Sequence, residues 1–286
     1  METLNRIQTV RERVKAWRAE GQRVALVPTM GNLHRGHISL VAAALSRADR
    51  VVVSVFVNPL QFGPQEDFGR YPRTLERDTE QLQKAGAHLL FAPTAFEMYP
   101  VGVERTSVVD VPEFAGILEG HFRPGHFAGV ATVVTKLFNI VAPDVALFGE
   151  KDFQQLAVVQ RLVRDLCMSI EVVGVPTARD PDGLAMSSRN QYLTARERGV
   201  APKLYATLRA LRKRIQDGER QWPDMEAEAM RELARAGFEP DYVSVRRSSD
   251  LLPPREGDRE FVLLAAARLG STRLIDNLRV VVTPAP

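Results

Sequence analysis

Cysteine occurs once in the 286 residues, at Cys167, so no disulfide can form within the chain and a reducing compartment fits. The stretch around it is apolar-periodic, which predicts a buried structural thiol. Long apolar runs are also missing. The longest, residues 261–267, has seven residues, where a membrane-spanning helix needs roughly 18, and a helical span is excluded. The opening Met1-Glu2-Thr3-Leu4-Asn5-Arg6 carries an early acid and lacks an apolar signal region, so the expected location is cytoplasmic. Charge of one sign is scarce: 38 basic residues stand against 35 acidic ones, and no Lys/Arg block has the length of a nucleic-acid arm. Anionic small molecules are the more natural partners. Glycine and proline, 19 and 18 residues, are at ordinary levels, which excludes collagen-like repeats and global disorder.

What is present is an alternation. Residues 24–27, 51–57, 89–91, 145–148 and 171–175 read as short buried strands bounded by Pro, Gly, Asn or Asp. Helix-length segments lie between them, near 38–48, 75–85, 132–140 and 153–167. This order predicts a parallel sheet covered by helices on both faces, with ligands at the carboxyl ends of its strands. After Pro176 the pattern changes. Residues 179–183 read as a turn, and Thr194-Ala195-Arg196-Glu197 has capping-box spacing, opening a helix to about Asp217. A second helix near 224–236 and strands at 242–246, 261–267 and 280–283 complete a small α+β domain.

Four of the five histidines fall in two clusters, His34 with His37 and His121 with His126. The first pair closes Pro28-Thr29-Met30-Gly31-Asn32-Leu33-His34-Arg35-Gly36-His37, directly after a strand and directly before a helix. The glycines let backbone approach a ligand, the helix start supplies free N–H groups and partial positive charge, and two imidazoles add donors for phosphate oxygens. Surface loop histidines and a shared zinc are the alternatives. The position between strand and helix favours nucleotide phosphate, and no third His or Cys lies nearby.

Asn58 and Gln61, in Phe56-Val57-Asn58-Pro59-Leu60-Gln61-Phe62, follow the end of a buried strand and suit a hydroxyl or carboxylate, though Asn58-Pro59 also fits the start of a turn. Gly149-Glu150-Lys151-Asp152-Phe153-Gln154-Gln155 again follows a strand and opens a helix. A lysine there opposes the helix dipole, a conflict that a bound anion would relieve. Met186-Ser187-Ser188-Arg189 suits a mobile phosphate clamp, against the plainer reading of an exposed polar loop.

His34-Arg35-Gly36-His37 resembles the His-x-Gly-His signature of the nucleotidylyltransferase superfamily, and Met186-Ser187-Ser188-Arg189 its second signature. More narrowly, the chain is similar to the pantothenate synthetase (pantoate–β-alanine ligase) family. The matching blocks are 28–37, 56–62, 71–74, 123–127, 149–155 and 182–190, in family order, covering most of residues 24–193. The resemblance implies a Rossmann-like domain over residues 1–177, a smaller α+β lid domain over 178–286, and a homodimer. It implies that pantoate attacks the α-phosphorus of ATP, giving pantoyl adenylate and pyrophosphate, and that β-alanine then displaces AMP.

By the family pattern Met30, Gly31, Asn32, Leu33, His34, Arg35, Gly36, His37, Gly149, Glu150, Lys151, Asp152, the backbone at Ala178, Met186, Ser187, Ser188 and Arg189 hold ATP. Within that set His34, His37, Lys151, Ser187, Ser188 and Arg189 are the catalytic candidates, with His37 the proton donor. Gln61 meets pantoate and β-alanine, Gln155 meets pantoate, and Asn58 joins them. Magnesium sits on the phosphates, with Asp78 the candidate carboxylate. Ala178 replaces a more usual Val, and the last 60 or so residues match weakly.

Three other readings stay open. A transferase that adenylates a phosphate ester would call for additional Arg or Lys where the chain has paired amides, Asn58/Gln61 and Gln154/Gln155. A tRNA-binding module would need a basic domain for which little chain remains. A non-catalytic nucleotide binder is the third.

Overall fold

The structure, a computed structural model, describes residues 1–64 and 66–282. Thr283, the last residue of the third expected C-terminal strand, lies outside the described residues. Two compact units emerge. One takes Met1–Glu150 and Gln154–Pro176; the other takes Lys151–Phe153 and the chain from Thr177 onward.

The first unit is built on six parallel strands, β1 (Glu2–Leu4), β2 (Val24–Thr29), β3 (Arg50–Val55), β4 (Leu89–Phe91), β5 (Val145–Gly149) and β6 (Glu171–Val175), in the order β1-β4-β3-β2-β5-β6. Residues of both parities on β2, β3 and β5 are fully buried, so both faces are covered and the strands read as continuous apolar runs. On one face Ala25, Val27, Val51, Val53 and Leu147 meet Leu40, Val41 and Ala44 of α2 (Arg35–Leu45) and Leu82 of α3 (Leu75–Lys84). On the other, α1 (Ile7–Ala19) and α7 (His126–Val141) pack on β2. Between lie three single-turn helices, α4 (Ala95–Met98), α5 (Pro112–Ala115) and α6 (Glu119–Phe122), and α8 (Phe153–Asp165) follows β5. From β2 the chain winds outward through β3 and β4, then returns to place β5 on the other flank of β2. That reversal is the switch point where such sheets open a ligand crevice.

Several expectations are corrected. Helix α1 went unread, because its buried stripe of Val10, Val14 and Trp17 is narrow and its N-cap, Arg6, makes no side-chain cap. Cys167 is exposed rather than buried. Helix α8 ends at Asp165, and Cys167 turns back in the left-handed region at φ 51°, donating its N–H to the Arg164 carbonyl.

In the second unit the capping box is present, with Thr194 Oγ1 accepting from Glu197 N and the Glu197 carboxylate accepting from Thr194 N. The helix it opens is split into α9 (Ala195–Val200) and α10 (Lys203–Gln216), because Pro202 has no N–H to continue the ladder. With α11 (Trp222–Arg235) these helices cover the antiparallel sheet β7 (Glu239–Arg247), β8 (Glu260–Leu269) and β9 (Thr272–Val281), closing a core of Leu204, Leu208, Leu211, Leu233, Phe261 and Leu263.

This unit is tied by a buried fork. Arg179 Nη1 and Nη2 donate to Asp276 Oδ2 and Oδ1 at 2.6 and 2.8 Å, and the guanidinium lies 3.6 Å from the Tyr205 ring centroid. Asp276 is only 4% exposed, so deleting it strands a charge. We predict that Asp276→Ala costs about 3 to 5 kcal/mol, measured as a shift in the denaturant midpoint. A cost below about 1 kcal/mol, the scale of an exposed pair, would contradict the assignment.

Candidate active site

The site begins where β2 ends. Thr29 Oγ1 donates to the Ser54 carbonyl on β3 and accepts from Gly31 N, turning the chain off the strand. Gly31 and Asn32 then take positive φ, 85° and 50°. A Cβ on Gly31 would lie 3.0 Å from both Asp78 Oδ2 and Val55 Cγ1, so glycine is required by space as well as by backbone. The two left-handed residues aim consecutive N–H groups at one carboxylate. Asn32 N donates to Asp78 Oδ2 at 2.9 Å and Leu33 N to Oδ1 at 2.8 Å, the geometry of a backbone anion nest. From the same helix, Gln81 Nε2 donates to the Leu33 carbonyl.

Asp78 was expected beside magnesium. It is fully buried, and Thr74 Oγ1 adds a third hydrogen bond, so three of the roughly four acceptor positions of a carboxylate are filled. What these contacts show is a carboxylate that positions the loop.

Beyond the loop, His34 caps α2. Its Nδ1 accepts from Gly36 N at 3.1 Å, while His37 Nδ1 accepts from His34 N at 3.2 Å, and the two rings lie 4.1 Å apart. Imidazoles here take the parts that a hydroxyl and a carboxylate play in a capping box. The consequence is chemical. A neutral imidazole that accepts at Nδ1 carries its proton on Nε2, so both histidines are poised as Nε2–H donors at a helix N-terminus. The spacing of three is thereby explained by capping, and among the described residues no group of three or more His, Cys, Asp or Glu could hold a metal ion.

The next loop, after β3, folds into a single 3-10 turn over Pro59–Gln61 with Asn58 as its N-cap. Asn58, expected to touch substrate, is 1% exposed and spends its amide internally. Oδ1 accepts from Leu60 N and Tyr99 Oη, and Nδ2 donates to the Gly129 carbonyl and Gln61 Oε1. Gln61 Nε2 faces Met30 Sδ at 3.1 Å, joining this turn to the β2 loop. Thus the structure brings Met30, Asn32, Leu33, Gln61 and Asp78 together.

A polar cluster that had no assigned role grips the turn from behind. His126 Nδ1 donates to the Gln61 carbonyl at 2.8 Å, and its Nε2 accepts from Arg123 Nη1 at 3.0 Å. Arg123 in turn forks onto Glu66 at 2.6 and 2.7 Å. Burial alone would raise the Glu66 carboxyl, but the guanidinium holds it below its ordinary range. Burial, helped by the Arg123 charge, pushes His126 down to about 4. The second histidine cluster and the block at residues 123–127 were the only sequence signals for this grip.

Downstream, Gly149 ends β5, Glu150, Lys151 and Asp152 form one 3-10 turn, and α8 starts at Phe153. The Lys151 ammonium stands 3.9 Å from Asp152 Oδ2, and its carbonyl accepts from Asn277 Nδ2. Gln155 is half-buried, whereas Gln154 is withdrawn into the core. Its Oε1 accepts from Glu119 N, and its Nε2 donates to the Phe114 and Ile117 carbonyls. Within the second unit, the Ala178 carbonyl accepts from Met186 N, and Ser187 Oγ accepts from Arg189 N at the start of a 3-10 turn, Ser188–Tyr192. Met186, Ser187, Ser188 and Arg189 are all half-buried.

A pH test follows from His126. It stays neutral in the folded protein down to about 4 but protonates near 6.5 when unfolded. Its contribution is therefore complete above pH 6.5 and is lost as pH falls toward 4, by on the order of 3 kcal/mol. We predict a shallower fall of unfolding free energy over that window in His126→Asn, which keeps an N–H donor but cannot titrate. Equal slopes in the two proteins would contradict a buried neutral imidazole.

Comparison with known proteins follows the same lines. The family model described as Pantoate-beta-alanine ligase matches residues 2–279. A pantothenate synthetase of Pseudomonas aeruginosa is 55% identical over 280 residues, 98% of this chain and 99% of the relative, and one from Azotobacter vinelandii matches equally. Crystal structures agree. The pantothenate synthetase of Thermus thermophilus is 48% identical with a TM-score of 0.88, covering 97% of this chain and 99% of that one. A pantoate-beta-alanine ligase from Francisella tularensis, complexed with beta-gamma ATP and beta-alanine, is 34% identical with a TM-score of 0.82 over 97% of each chain. The chain belongs to the pantoate-beta-alanine ligase family.

Proposed function

We propose that the protein condenses pantoate with β-alanine at the expense of ATP, through a pantoyl adenylate, giving pantothenate, AMP and pyrophosphate. The observation that carries this reading is the His34/His37 pair, two Nε2–H donors fixed by their own backbone hydrogen bonds at the mouth of the switch point. A carboxylate is a poor acyl donor until its oxygen becomes a good leaving group, and AMP is one. In the first step a pantoate oxygen bonds the α-phosphorus and the bond to pyrophosphate breaks. In the second the β-alanine amine bonds the acyl carbon, AMP leaves, and the nitrogen sheds a proton.

On this reading the phosphates lie against Met30 to His37 and Gly149 to Asp152. The Ala178 backbone and Met186, Ser187, Ser188 and Arg189 complete the ATP contacts, and Lys151 adds positive charge. Donors aimed at charge that develops in the transition state lower the barrier most, which gives His37 and His34 their role. Gln61 and Gln155 orient pantoate. Magnesium would be carried on the triphosphate and needs only one or two protein oxygens; Asp78, fully buried and bonded to Asn32, Leu33 and Thr74, would act through the loop and not as a direct ligand. The working division keeps a nucleotide- and pantoate-binding domain over residues 1–177 and a smaller lid domain over 178–286. A homodimer in the cytoplasm completes the reading. Strand β6 is a sheet edge of half-buried and exposed residues, and no helix among the described residues is long and apolar enough to cross a membrane.

The test is direct. ATP and pantoate without β-alanine should exchange labelled pyrophosphate into ATP, and adding β-alanine should release AMP. Net synthesis without exchange, once pyrophosphate trapping is ruled out, would overturn the adenylate. We further predict that His37→Ala loses about 10²- to 10³-fold in turnover, roughly 2.7 to 4 kcal/mol, with a smaller change in pantoate KM. A folded His37→Ala protein with near-normal exchange would contradict its role.

A further inference from the structure

Gln61 reaches the site with an orientation that its neighbours dictate. The chain of constraint starts at the Gly129 carbonyl of α7, which can only accept. The Asn58 atom 3.1 Å from it is therefore the amide nitrogen, and Oδ1 lies on the other side, where it meets the Leu60 N–H and, at 2.7 Å, the Tyr99 hydroxyl. The second proton on Asn58 Nδ2 points to Gln61, so the Gln61 atom that receives it, at 3.1 Å, is the oxygen. Only Nε2 is left to face Met30 and the β2 loop. A thioether is a weak acceptor, so a substrate oxygen can replace it at little cost.

We propose that Tyr99 is a positioning residue: through Asn58 it fixes the Gln61 amide with its N–H groups toward the substrate, so that Gln61 recognises an acceptor oxygen and not an ammonium. The proposal rests on Gln61 meeting pantoate. Tyr99 is 3% exposed, and burial pushes its phenol further above the ordinary range, so the hydroxyl keeps its proton for Asn58. The turn is held without slack. A Cβ on Gly129 would collide with the Leu60 carbonyl and lie 2.7 Å from the Gln61 Cα. His126 fixes the Gln61 carbonyl from the other side. With the backbone pinned at both points, the side-chain amide can still flip, and the Tyr99–Asn58 pair removes that freedom.

A double-mutant cycle separates positioning from general packing. Tyr99→Phe keeps the ring, which lies 6.1 Å from that of Phe56. It should raise the pantoate KM about 3- to 10-fold, the range expected for one lost hydrogen bond, and leave the ATP KM within about twofold. In a Gln61→Ala background the same substitution should add less than about twofold. Equal penalties in both backgrounds, or a matching rise in the ATP KM, would overturn the relay. Gln61→Glu tests the polarity without touching Tyr99. One oxygen still accepts from Asn58, the other confronts the pantoate oxygen, and pantoate binding should fall below that of Gln61→Ala. A Gln61→Glu protein with normal pantoate KM would overturn the relay. Should Gln61→Ala leave pantoate KM unchanged, the substrate reading falls and the relay with it. A Gln61→Ala defect without a Tyr99→Phe defect overturns the relay alone.

Discussion

The Asp78 carboxylate, buried behind the β2 loop and accepting from Asn32 and Leu33 N–H, is the contact on which the rest of the site depends. Hydrogen bonds to a charged acceptor are worth about 1.5 to 3 kcal/mol each, and a carboxylate removed from water needs them. The two left-handed residues exist to provide them. Their geometry sets where Leu33 enters the core, where His34 caps α2, and how the His34 and His37 rings present their Nε2–H groups. A loop that would otherwise sample many conformations is thereby held in one, and on the proposed function that pre-organisation is where electrostatic catalysis obtains its advantage.

The turn after β3 obeys the same logic with neutral groups. Asn58 serves four partners at once, α7 presses on Leu60 with no room for a side chain at Gly129, and His126 remains uncharged, so that Nε2 accepts from Arg123 while Nδ1 donates to the Gln61 carbonyl. The two loops meet at Met30 and Gln61. The polar residues nearest the expected substrate therefore divide into two kinds: those that face it, and those whose capacity is consumed in aiming the first. Asn58 and Asp78 belong to the second kind, while Gln154 is spent on the backbone of Phe114, Ile117 and Glu119.

Much of this was legible in the chain. Strands β2, β3 and β5 are buried on both faces, and such strands write themselves as unbroken apolar runs. The β2–α2 junction, with its glycines and histidines, marked the candidate site, and the Thr194 capping box was read with its partner. What escaped was whatever depends on residues distant in sequence. Tyr99 lies 41 residues from Asn58, and nothing local marks it. Asp78 looks like any acid in a helical first turn until the loop folds onto it. Cys167 was assigned to the core because helical periodicity does not announce where α8 stops, and the break at Pro202 was overrun for the same reason.

The most direct measurement is amide hydrogen exchange at Asn32 and Leu33 in the ligand-free protein, wild type against Asp78→Asn. The asparagine keeps the shape but loses the charge, and it turns a donor toward one of the two backbone N–H groups. The account predicts about 10- to 100-fold faster exchange at those two amides, as expected for losing one such hydrogen bond, with β3 and β5 unaffected. Unchanged protection at Asn32 and Leu33 in a folded Asp78→Asn protein would contradict it.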